Sequence, residues 1–261
     1  MSWTARQRAM LQEMGVGGWL RHVAPATVAV AVEAPPEVAV LHAEPAPVAP
    51  PAEPTGPAPQ GPRPSGVETM DWPALREAVA GCTACGLCRT RTQTVFGVGH
   101  ERAHWMIVGE APGEQEDRQG EPFVGKAGQL LDNMLRAVGL SRGEGDAERQ
   151  VFICNVLKCR PPGNRNPDPA EVAQCEPFLL RQVQLVRPRI ILAMGRFAVQ
   201  SLLRTDEAIG RLRGRVHRYA GVPTIVTYHP AYLLRNLPDK AKAWDDLCLA
   251  VETLRAAERA D

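Results

Sequence analysis

The stretch 107-IVGEAPGEQEDRQGEPFVGKAGQLL-131 leaves a short apolar run, crowds acids and glycines into one loop, and resumes as an amphipathic helix. A loop of that composition holds something at the end of a strand. Apolar runs of strand length recur at 105-WMIVG-109, 151-VFICNVL-157, 189-RIILAMG-195 and 222-VPTIVTYH-229. Helical patterns lie between and after them, at 127–139, 169–187, 196–204 and 241–259. The stretch 71-DWPALREAVAGC-82 carries an Asp cap, an early Pro and a helical apolar stripe. Strands alternating with helices predict an α/β fold, a three-layer sandwich around a mostly parallel four-stranded sheet. In such sheets ligands bind at the carboxyl ends of strands, so the loops after these strands should converge.

The 261 residues split sharply in composition, because half of the 24 prolines fall between Pro25 and Pro64. Residues 24–66 lack helical or strand periodicity and cannot bury enough apolar surface to offset chain entropy, so a disordered linker is expected. Before it, in 2-SWTARQRAMLQEMGVGGWLRHV-23, Ser2 caps a short helix with Ala5, Met10, Leu11 and Met14 on one face. A tethered helix of that kind suits docking on a protein partner or simply frays. The domain proper then runs from 67 to 261. Net charge is +1, so no global basic field announces nucleic acid or membrane. No apolar run is long enough to span a bilayer and no secretory layout opens the chain, so a cytoplasmic monomer is expected.

Three loops carry chemistry. In the first, glycines at 109, 113, 120, 125 and 128 permit close backbone approach to a ligand, and amides point towards a helix start. It matches neither GxxxxGK[ST] nor GxGxxG, which argues against nucleotide phosphate. Phe123 presents an aromatic face or is a core side chain. In the second, 153-ICNVLKCRPPGNRNPDPAEVAQC-175, Asn155 sits inside an apolar strand, where an unpaired amide costs ~1–3 kcal/mol. Its adjacent donor and acceptor suit the edge of a planar base. Lys158, Arg160 and Arg165 flank it as phosphate ligands or solvated cations. In the third, 226-VTYHPAYLLRN-236, His229 stands at a strand end where it could donate to a developing anion. Leu233, Leu234 and Arg235 have the layout of an apolar wedge for stacked bases. Upstream, 211-RLRGRVHR-218 adds Arg211, Arg213, Arg215 and Arg218 as a local phosphate strip.

Seven cysteines, an odd number, argue against a disulfide framework. Cys82 and Cys85 form a C-x2-C, and Cys159 and Cys175 form a wider pair. Four thiolates from two segments suit tetrahedral zinc or a [4Fe–4S] cluster, and spacing alone does not choose. Cys88 is a further candidate.

Taken together, GEAPGEQED–GEPFVGKAG, CNVLKCRPPGNRNP and HPAYLLRN, with CTAC before and Cys175 after, resemble the family 4, or iron–sulfur, uracil-DNA glycosylases. The resemblance covers roughly Asp71 to Leu254. It implies DNA repair by base excision, in which uracil is flipped from the stack and its N-glycosidic bond is cut by water. By this likeness Phe123 stacks on uracil and Asn155 reads its edge. The backbone of Gly109, Glu110 and Ala111 lines the pocket, and His229 stabilises the departing base. Cys82, Cys85, Cys159 and Cys175 hold a [4Fe–4S] cluster. The Leu233–Leu234–Arg235 loop resembles the one that fills or props the vacated stack, while Lys158, Arg160 and Arg213 are expected on DNA from their charge. The best-known uracil-DNA glycosylases carry a water-orienting Asp where this chain has Ala111. Glu116 is the first candidate to replace it, then Glu110 and Asp117. The rival readings are a relative that captures uracil covalently through a histidine, a non-catalytic DNA-binding adaptor, and an iron–sulfur electron carrier. The lack of a histidine in KCRPPGNRNP argues against the first.

Overall fold

A computed structural model describes residue 61 and residues 64–143 and 145–259. The expected helix over 1–23, and all of the 24–66 linker except Gly61 and Pro64–Gly66, lie outside the described residues. The elements run α1 (Trp72–Ala80), β1 (Val98–Gly99), β2 (Trp105–Gly109), α2 (Glu114–Gln119), α3 (Gly125–Ala137), β3 (Val151–Asn155), α4 (Pro169–Val186), β4 (Ile190–Met194), α5 (Arg196–Leu203), α6 (Ile209–Leu212), β5 (Val216–Tyr219), β6 (Val222–Thr227), α7 (Pro230–Leu233) and α8 (Asp239–Glu258).

The sheet order is β1-β3-β2-β4-β6-β5. The central four strands, β3-β2-β4-β6, are parallel, as expected from their continuous apolar runs. Two short strands add antiparallel edges, β1 on β3 and β5 on β6. Alternation along each strand builds the sandwich. Trp105, Ile107, Val151, Ile153, Leu192 and Ile225 face one core with α3 and α8. Met106, Val108, Phe152, Cys154, Ile191 and Val226 face the other with α1, α4 and α5. Both faces are therefore dry, and the strands are buried end to end.

Helix starts are specified locally. Asp71 accepts from Ala74 N at 3.0 Å to cap α1, and Asp168 with Glu171 forms a capping box on α4. The chain passes from β2 to β3 on one side and then to β4 on the other. That reversal opens a crevice at the carboxyl ends of β2 and β4, which is where the informative loops emerge. Among the described residues no helix is long and apolar enough to cross a membrane.

Candidate active site

A cleft of about 990 Å³ opens at these strand ends, lined by Glu110, Phe123, Asn155, Gly195, His229 and Arg235 among others. The four parallel strands deliver the parts. Gly109 ends β2, Asn155 ends β3, Gly195 follows β4, and Tyr228–His229 follow β6. The first two loops are locked together, because Val156 N and Leu157 N donate to Gly109 O and Glu110 O at 2.9 and 3.0 Å.

Gly109 has to be glycine. A Cβ there would collide with Asn155 Oδ1 and come within 2.5 Å of Phe123 Cζ. Phe123 is buried yet lines the cleft, and its φ of 54° is a left-handed value rarely adopted by an aromatic residue. Three contacts hold it there. Gly128 leaves room for the Phe123 carbonyl, which any Cβ would strike. Arg142 donates to Pro122 O at 3.0 Å while its Nε binds Asp132 at 2.6 Å. Glu116 Oε1 accepts from Val124 N at 3.1 Å. Strain concentrated at one ring, and braced from three sides, is characteristic of a functional position.

Asn155 is 2% exposed, and among the described residues its side-chain amide has no hydrogen-bond partner. It faces the cleft, so its donor and acceptor are free for a ligand. Its backbone carbonyl is held by Lys158 Nζ at 2.6 Å, and the same ammonium donates to Gln182 Oε1 at 2.6 Å. Lys158 is therefore not a surface cation. At 1% exposure it cannot reach DNA, and burial lowers its pKa.

His229 Nδ1 accepts from Ala231 N at 3.1 Å. Burial, and then the nearby Arg235, push its pKa down to about 4. The ring is thus neutral at pH 7 with its proton on Nε2, a donor rather than a cation. It stacks on Phe123 with centroids 5.1 Å apart and planes 21° from parallel. Gly195, at φ 92°, seats the His229 Cβ, which a Cβ at 195 would approach to 3.0 Å.

The candidate acids separate by environment. Glu110 lines the cleft, and burial raises its carboxyl to about 7. Glu116 also lines it but is engaged with Val124 N. Asp117 is buried and accepts from Thr92 N at 2.9 Å, so it is a structural anchor.

Two further DNA-facing expectations are corrected. Leu233 is fully buried in the core beside α3 and α8, because the short helix α7 turns it inward. The exposed tip consists of Leu234, at 39%, with Arg235. Arg213 is largely buried, pairs with Asp246 Oδ2 at 2.7 Å, and lies 4.8 Å over the Tyr228 ring. It braces the segment before His229 and is not free for phosphate. Arg160 stays near the surface, with Nε on Asn164 Oδ1 at 2.7 Å.

Cys85, Cys159 and Cys175 pack into one small cluster with Leu87 and Leu157. Burial raises Cys159 to about 11 and Cys175 to about 12, and Cys82 and Cys85 are close enough to add to the Cys159 shift. Arg91 donates to Cys159 Sγ at 3.0 Å. Among the described residues no three His, Cys, Asp or Glu side chains form a group able to hold a metal as they stand. The donor chemistry nevertheless fits a sulfur-ligated centre: three thiols packed together, Cys82 near enough to act on Cys159, and a guanidinium beside them.

The sequence model of the uracil DNA glycosylase superfamily matches residues 96–248, which includes every residue lining the cleft. The chain belongs to that superfamily. It is similar to a type-4 uracil-DNA glycosylase of Archaeoglobus fulgidus, 44% identical over 176 residues, covering 64% of this chain and 84% of the relative. A type-4 uracil-DNA glycosylase of Thermotoga maritima is 44% identical over 164 residues, covering 62% and 82%. One of Pyrobaculum aerophilum is 41% identical over 188 residues, covering 69% and 93%. Arg142 and Gly195 are cleft-supporting residues that pattern reading missed, and Glu116 and Lys158 were read in other roles, since each acts through a contact between distant segments.

Proposed function

We propose that this protein is a uracil-DNA glycosylase that flips uracil from DNA and hydrolyses its N-glycosidic bond to leave an abasic site. The observation that carries this reading is the unpartnered Asn155 amide, buried and aimed into a cleft beside the strained Phe123 and the neutral His229. A flipped base stacks on the part of Phe123 that opens to the cleft, with its oxygen-bearing edge turned towards His229. Asn155 offers a donor and an acceptor to the edge that distinguishes uracil from cytosine. The Gly109–Ala111 backbone forms the floor. As the C1′–N1 bond breaks, its electron pair moves onto the base, and His229 Nε2–H donates to the uracil oxygen that gathers charge. Water adds to C1′ and loses a proton.

Glu110 is our choice for the group that stabilises the cationic sugar and takes that proton, in place of Glu116. Glu116 holds Val124 and so positions Phe123. Cys82, Cys85, Cys159 and Cys175 would hold a [4Fe–4S] cluster. When bound, it would supply a rigid cross-link among the segment after α1, the loop after β3 and helix α4, and no step of the reaction. Leu234, exposed at the tip beside Arg235, would fill the vacated stack.

The test is release of free uracil from a uracil-containing duplex, with strand cutting after alkali, beside the same duplex carrying cytosine or thymine. Uracil release alone supports the reading. No release by protein carrying its cluster, or a stable protein–DNA adduct, overturns it in favour of a binding or capturing relative.

A further inference from the structure

The cleft is several times larger than one pyrimidine needs, being of the size that encloses a whole drug-like ligand. The cleft therefore has room for more than the base. Among the described residues, three cations line it with no carboxylate partner: Lys126, Arg196 and Arg235. Arg165, the other arginine lining the cleft, and Arg118 and Arg160 outside it are engaged. Arg118 and Arg160 share Glu114, and Arg165 takes Glu171. The cleft's three acids leave these cations unpaired: Glu114 holds two arginines, Glu116 holds Val124 N, and Glu110 forms no ion pair among the described residues.

Two of the three stand where a cation is disfavoured. Lys126 is the second residue of α3 and Arg196 the first of α5, at the positive ends of both helix dipoles. Arg196 rests over the Phe197 ring, 5.5 Å from its centroid, which leaves its guanidinium exposed. Unpaired cations at helix starts around a cleft are accommodated when an anion joins them, and the unpartnered Asn155 amide marks the same cleft as a ligand site. We propose that Lys126 and Arg196, together with Arg235, grip the phosphodiester backbone on the two sides of the flipped nucleotide. This grip replaces the one that sequence assigned to Lys158 and Arg213, both of which are committed to the interior. It rests on the glycosylase reading in taking the ligand to be a DNA strand.

The test measures binding to uracil-containing and uracil-free duplexes across a salt series, with uracil release measured in parallel. Wild type is compared with Lys126→Ala, Arg196→Ala, the charge-keeping Lys126→Arg and Arg196→Lys, and Arg255→Ala as a distant surface control. Each alanine variant should flatten the log–log salt slope by about one, the effect of one lost phosphate contact. The charge-keeping variants should restore the slope, and Arg255→Ala should leave it unchanged. Neutral methylphosphonates placed singly along the uracil strand should weaken wild type at one position per cation, and the matching alanine variant no further. Unchanged slopes with normal uracil release overturn the grip and leave the glycosylase reading standing. Flattened slopes with no uracil release by wild type support the grip and overturn that reading.

Discussion

Replacing Gly109 by alanine adds one methyl group at the point where three of the site's parts meet. The new Cβ would collide with Asn155 Oδ1 and lie 2.5 and 2.7 Å from Phe123 Cζ and Cε2. Neither neighbour can withdraw freely. Phe123 is pinned by Gly128, Arg142 and Glu116, and Asn155 ends a buried strand whose carbonyl is tied to Lys158. Gly109 is not in the left-handed region, so no backbone strain is added and the cost is overpacking, about 1–3 kcal/mol. For a domain of this size that is about 2–4 °C of melting temperature per kcal/mol. Activity should suffer more, because moving a reacting geometry by about 1 Å costs on the order of 100-fold. Single-turnover uracil release and thermal melting on Gly109→Ala check both halves. A variant with wild-type rate would refute the claim that Gly109 spaces the ring and the amide for the base.

Three more outcomes follow from the same contacts. With Glu110 raised to about 7 and His229 lowered to about 4, the single-turnover rate should climb about tenfold per unit below pH 7 and level off above it, without a second limb from His229 down to pH 5. Glu110→Gln should flatten that limb. A raised carboxylate favours folding below its unfolded pKa and loses that advantage as pH rises through 7, so Glu110→Gln should melt higher than wild type at pH 8. The lowered His229 works in the opposite sense: its contribution is complete above about pH 6.5 and is lost as pH falls towards 4. Glu116→Gln keeps an oxygen for Val124 N–H and should retain most activity, whereas Glu116→Ala should lose both rate and about 1 kcal/mol. An inactive but folded Glu116→Gln would return the acid role to Glu116. Lys158→Met strands Asn155 O and Gln182 Oε1 and should cost ~2–4 kcal/mol in denaturant melts, while the salt slope of DNA binding stays at its wild-type value.

The parallel core was legible because buried strands read as unbroken apolar runs, and β2, β3, β4 and β6 begin and end within a few residues of those runs. The edges were not. Val98–Gly99 is too short to carry a pattern, and Val216–Tyr219 alternates for only four residues. Helix α2 was hidden because Glu114–Gln119 is wholly polar and lies between glycines, so it reads as loop. Three of the cleft-lining residues were legible by type: a phenylalanine among glycines, an amide in an apolar strand, and a histidine before proline at a strand end. The DNA face was not, because charge does not reveal burial. Lys158 and Arg213 look like surface cations until Gln182 and Asp246, distant in sequence, fold against them. Likewise, Leu233 and Leu234 are equivalent on paper, and only the phase of α7 decides which enters the core.

The central claim is that His229, neutral and donating through Nε2, carries the departing base at the ends of these strands. The direct measurement is single-turnover release of uracil from a duplex oligonucleotide by wild type and His229→Ala, with melting curves alongside. The account predicts uracil release by wild type and a loss on the order of 100- to 1000-fold in a folded variant, the effect of removing one donor to a developing anion. A folded His229→Ala that releases uracil at the wild-type rate would contradict it.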